Sequence, residues 1–72
     1  MGEVFFEVRE STEGGYEANA LGASIYTQGD TLEEVRSNIL EAVECHFDEP
    51  DRPKWVRIIF VREEVLPIAA SA

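Results

Sequence analysis

Cys45 and His46 are the side chains of this sequence best suited to nucleophilic or metal chemistry, and they are adjacent. A thiolate and an imidazole could serve as nucleophile and base, but neighbours on a helix point about 100° apart and do not face each other. Their segment reads as a helix end, where the backbone carbonyls favour cations over a thiolate. On the helical wheel Cys45 falls toward the polar side and His46 on the apolar stripe, so His46 is expected to pack near a sheet edge. Metal binding needs several converging ligands, and the chain has one Cys and one His. Asp48-Glu49-Pro50-Asp51 lacks the ligand rhythm of a calcium loop and reads as a solvated charge run. Gly14-Gly15 precedes a strand and has no lysine beside it, so it serves a hairpin turn and not a phosphate cradle. The expectation is a protein that is not an enzyme, with no catalytic residue, no metal and no cofactor.

Charge offers a different kind of chemistry. Six Lys plus Arg stand against fifteen Asp plus Glu, a net charge of -9. Phosphate recognition is driven mainly by Lys and Arg displacing counterions, so nucleic acid is not expected as a direct ligand. A basic protein partner is, and Glu33, Glu34, Glu41 and Glu44 are its candidate steering charges. The apolar run Trp55 to Val61 is interrupted by Arg57, and no stretch approaches the ~20 residues of a membrane span. No charged start followed by an apolar run marks a secretion signal, and a lone cysteine forms no internal disulfide, so the cytoplasm is expected.

These residues must be positioned by a small fold. The 72 residues, 44% of them apolar, suit one domain spanning 1–72. At this size folding hides only about 60% of the surface the unfolded chain exposes. Residues 3 to 9 alternate with a two-residue period, Val4, Phe6 and Val8 on one side and Glu3, Phe5, Glu7 and Arg9 on the other. Ser11 to Gly15 supply a turn, and Tyr16, Ala18 and Ala20 resume the alternation, which predicts an antiparallel hairpin. Ala23, Ile25 and Thr27 predict a third strand. Thr31 with Glu34 fits a capping box that opens a helix. Leu32, Val35, Ile39, Leu40, Ala42, Val43 and Phe47 form its apolar face. Pro50 and Pro53 lie in the linker that ends it.

A fourth strand, Trp55 to Arg62, is apolar on both sides. Val56, Ile58 and Phe60 are expected under the helix, with Trp55, Ile59 and Val61 on the opposite face. The fold class is α+β in the order β-β-β-α-β, an antiparallel-rich sheet with one helix packed on one face. That leaves Phe5, Trp55, Ile59 and Val61 without a cover, and small monomers seldom expose such a patch. A second copy of the chain, in a homodimer or higher oligomer, is the expected cover. Val65-Leu66-Pro67-Ile68 is expected to lie along a neighbouring subunit or the sheet edge, and Ala69 to Ala72 to fray.

Gly15-Tyr16-Glu17-Ala18, then Tyr26-Thr27-Gln28-Gly29-Asp30-Thr31-Leu32-Glu33-Glu34, then Asn38-Ile39 and Glu41-Ala42-Val43 together resemble the HicB-type antitoxins, over residues 3 to about 47. The resemblance implies a partial RNase H-like fold that binds and blocks a small, basic, mRNA-cleaving ribonuclease toxin of the HicA type. Ala20-Leu21-Gly22-Ala23 stands where family members commonly carry a proline-rich turn, and no DNA-binding module is expected after the domain. Nuclease chemistry on such a fold needs carboxylates converging on two metal ions. Glu3 and Glu7 are expected on a strand face and the helix acids toward water, which assembles no such cluster. A second reading keeps the fold and drops the toxin: a homo-oligomeric scaffold or small-ligand-binding module.

Overall fold

The computed structural model describes residues 2–69. The part of the expected frayed tail that covers residues 70–72 lies outside them. The elements follow the expected order: β1 (Glu3–Glu10), β2 (Tyr16–Leu21), β3 (Tyr26–Gly29), α1 (Leu32–His46) and β4 (Trp55–Val61). β1 and β2 form the hairpin, pairing Phe6 with Ala20 and Val8 with Ala18. Its turn closes through Ser11 N–H donating to Gly15 O at 2.9 Å and Gly14 N–H to Ser11 O at 3.2 Å. Gly15 sits at φ +76°, and a Cβ there would lie 2.7 Å from Gly29 O. The turn therefore needs glycine both for its backbone angle and for the close passage of β3.

The third strand differs from the alternation read in the sequence. Ala20 N–H donates to Ile25 O at 2.9 Å, which spends Ile25 on closing the bend, and the strand runs from Tyr26 to Gly29. Ile25 is still buried, so its apolar side chain belongs to the core although its backbone belongs to the turn. At Gly29 the chain leaves the sheet and enters α1. Thr31 caps the helix, its hydroxyl accepting from Glu34 N–H at 3.1 Å, and the Glu34 carboxylate accepts from Asp30 N–H at 3.1 Å. The reciprocal box is thus offset by one residue, from Thr31 to Asp30. A Cβ on Gly29 would lie 2.7 Å from Val35 N and 3.1 Å from Glu34, so glycine is what allows the first helical turn to press onto the end of β3. At the far end of α1 the Arg52 guanidinium donates to Phe47 O at 3.3 Å and Glu44 O at 3.2 Å, satisfying carbonyls that the helix leaves free.

The sheet order is β3-β2-β1-β4. β4 runs parallel to β1, with Val4 beside Val56, Phe6 beside Ile58 and Val8 beside Phe60. The chain must therefore cross the sheet through α1 to reach the far edge. Val35, Ile39 and Val43 of the helix bury against Val4, Phe6, Val8, Ala18 and Ile25. Two expectations about this layer fail for one reason, the narrowness of a single helix. Phe60, expected under α1, is 56% exposed, because the helix packs on β2 and β3 and stops short of the β4 end. Leu40, expected on the apolar face, is also exposed, since it lies about 100° round the wheel from Ile39.

Gly29→Ala should lower stability by about 1–3 kcal/mol through forced displacement of the helix start. Ser37→Ala, on the solvent side of α1, should change it by less than about 0.5 kcal/mol. Urea unfolding of the two variants measures the difference.

Candidate functional site

The side chains that the sequence singled out fall on two surfaces on opposite sides of the molecule. The first is the sheet face away from the helix. There Phe5 stands in register between Leu21 of β2 and Arg57 of β4. The Arg57 guanidinium carbon lies 5.7 Å from the Phe5 ring centroid, a cation–π distance. The same guanidinium forks onto Glu3, with Nε to Oε1 at 3.0 Å and Nη2 to Oε2 at 3.2 Å. That hydrogen-bonded pairing, with the attraction of the two charges, holds the Glu3 carboxyl below its ordinary pKa and raises that of Arg57, while desolvation opposes both. Arg9 approaches Glu7 at 3.4 Å and Glu63 at 3.6 Å.

Trp55 is 70% exposed, Phe5 37% and Ile59 40%, while Val61 is half-buried. The structure therefore brings the four expected interface residues to one face of β1 and β4, with Val61 the most covered. Leu21 was missed, although the hairpin register that pairs it with Phe5 was available from the turn. Phe60 was assigned to the wrong environment because alternation gives the face of a strand and not the reach of the helix above it.

The second surface is the solvent side of α1. Glu33, Glu41 and Glu44 are exposed there with Ser37, Arg36 and Leu40 among them. Their spacing places Glu33, Ser37, Glu41 and Glu44 within one stripe, with Leu40 at its margin. Glu34 is set apart from the other three, because its carboxylate is held by the Asp30 amide at the helix start. As the helix covers one sheet face and the Phe5 cluster occupies the other, the steering acids and the apolar cluster cannot meet the same flat partner surface.

Cys45 and His46 are both exposed at the end of α1. The His46 ring meets Phe47 edge-on, with centroids 4.8 Å apart and planes at 76°. It packs on its neighbour Phe47, which is itself partly buried against the core. Among the described residues, no group of three His, Cys, Asp or Glu side chains is placed to hold a metal ion. Glu3 and Glu7 lie on the outer sheet face and the helix acids on the other side, so these carboxylates do not converge. No helix among the described residues is long and apolar enough to cross a membrane.

The fold is thus a four-stranded mixed sheet with one helix, an α+β domain whose distinctive chemistry is surface charge and uncovered apolar area. The chain belongs to the UPF0150 family. It is 56% identical over 51 residues to a UPF0150 protein of Archaeoglobus fulgidus, covering 71% of this chain and 76% of that one. It is 44% identical over 66 residues to a UPF0150 protein of Thermotoga maritima, covering 92% and 93%. No family model matches the chain, and no solved structure matches it.

Replacing Arg57 with Met removes the fork and the charge while keeping an apolar stem. The Glu3 carboxyl should then titrate at higher pH than in the unsubstituted protein, read by NMR of its side-chain carbon. Because the folded-state pKa is depressed, this pair's contribution is present above the unfolded carboxylate pKa and is lost as pH falls through the folded one. An unchanged Glu3 titration would contradict the pairing.

Proposed function

We infer that this is a non-catalytic protein-binding domain of the HicB antitoxin kind, which neutralises a small basic ribonuclease of the HicA type by direct contact. The observation that carries the reading is the solvent side of α1, where Glu33, Glu41 and Glu44 form an acidic stripe with the exposed Leu40 at its margin. An apolar side chain beside a stripe of like charges suits a docking site, with the anchor supplying affinity and the charges supplying encounter rate and selectivity. The net charge of -9 favours a cationic partner at any approach angle. The segment on which the antitoxin resemblance is strongest, Tyr26 to Glu34, forms the junction of β3 and α1 and so fixes where this acidic face stands. The order β-β-β-α-β supports a partial RNase H-like scaffold, and the separation of its carboxylates supports a binding role in place of nuclease chemistry. Such a partnership belongs in the cytoplasm, where mRNA is cleaved.

Co-expression with a tagged HicA-type ribonuclease should yield a complex and relieve the growth arrest that the ribonuclease causes. The triple variant Glu33→Gln, Glu41→Gln, Glu44→Gln should slow association on the order of tenfold at low salt and flatten its salt dependence. Leu40→Ala should act mainly on dissociation. Absence of a complex with any such ribonuclease would overturn the reading.

A further inference from the structure

We propose that the free edge of β4 is an interface between two copies of this chain, paired antiparallel about a two-fold axis at Phe60, with residues 62–66 of each copy lying beside the start of the other's β4. The two sheet edges are treated differently. β3 is four residues long and ends in glycine, and Asn38 of α1 donates to Gln28 O at 2.7 Å. A short edge tied to a helix is protected against further pairing. β4 is seven residues long, with six of them apolar, and carries no proline.

The backbone of β4 says which groups are free. Trp55 N–H donates to Gly2 O at 3.1 Å, so Trp55, and by parallel-strand alternation Arg57, Ile59 and Val61, turn their polar groups toward β1. Val56, Ile58 and Phe60 turn theirs outward, where no described strand pairs with them. These donors and acceptors suit another strand. Residues 54–62 also hold Lys54, Arg57 and Arg62 and no acid, in a chain of fifteen Asp plus Glu. Two copies can therefore approach here without setting carboxylate against carboxylate.

Charge then narrows the register, and apolar cover selects it. An axis at Ile58 would place Lys54 opposite the partner's Arg62 twice, which is repulsive. An axis at Phe60 places Arg57 opposite the partner's Glu63, and Trp55 opposite the partner's Val65. Glu63 reaches Arg9 at 3.6 Å, so the chain keeps the side-chain alternation of β4 beyond its last assigned residue. This register also covers what the single chain leaves bare: Phe60 meets its own copy, and Val65, 94% exposed, meets Trp55. Pro67 comes just after the last paired residue, where its missing N–H is harmless. The pairing makes a continuous sheet of eight strands with an isologous interface, and it leaves the acidic side of α1 free. It stands or falls separately from the antitoxin reading.

The test uses Trp55→Cys with Val65→Cys in a Cys45→Ser background. β4 holds Trp55 and Val61 roughly 20 Å apart, and the Glu63 contact with Arg9 carries the chain further the same way, so these thiols cannot join within one chain. In the proposed dimer they form pairs outside the ladder hydrogen bonds, with Cα atoms about 4.5 Å apart. Mild oxidation should give a covalent dimer on non-reducing gels, and each single-cysteine variant should give little. Light scattering of the unsubstituted protein should give twice the chain mass, and Phe60→Lys, at an exposed position, should restore the monomer. A monomer at high micromolar concentration, or a dimer that neither cross-links through positions 55 and 65 nor responds to Phe60→Lys, would overturn the proposal.

Discussion

One helix is too narrow for this sheet. Four strands span about 14 Å between the axes of the outer two, while a helix with its side chains is about 10–12 Å across. The helix must also begin where β3 ends, pressed onto it at Gly29, so its cover is spent on the β3 side. The consequences run through the whole molecule. Phe6 and Val8 of the central strand are sealed, Val56 and Ile58 are half-covered, and Phe60 is left in water. No described element covers the outer face, and Phe5, Leu21, Trp55 and Ile59 stand there with Arg57 beside Phe5.

The same limit accounts for the separation of roles. A chain this small has little interior in which to bury a reactive group, and among the described residues the buried ones are apolar: Val4, Phe6, Val8, Ala18, Ile25, Val35, Ile39, Val43 and Pro53. What is left for function is surface. Seven of the fifteen acids lie on α1 and the linker after it, whereas residues 54–62 carry only positive charge. The proposed self-pairing at the β4 edge and the proposed docking of a cationic partner on α1 use different surfaces, so the two would not compete.

Much of this was legible in the sequence, because two signals were strong. Alternation in residues 3–9 and 16–20 fixed which side of the first hairpin faces the core, and the Thr31 to Glu34 cap fixed where the helix begins. The loss of cover along β4 was legible only in part. Both of its faces are apolar, which announced an excess of exposed surface, but strand order decides which strand lies at an edge, and nothing local encodes that β4 runs beside β1. The role of Gly29, a close approach between β3 and α1, depends on atoms six residues apart whose meeting appears only in three dimensions. Glu34 was grouped with Glu33, Glu41 and Glu44 by residue type, yet its hydrogen bond to Asp30 gives it to the cap.

Hydrogen exchange of the β4 amides reads the edge itself. If two copies pair there, the N–H groups of Val56, Ile58 and Phe60 exchange slowly in concentrated protein and faster on dilution, while those of Ile59 and Val61, bonded to β1, change much less. If Val56, Ile58 and Phe60 exchange fast at every concentration, the edge is bare in solution and the account is wrong.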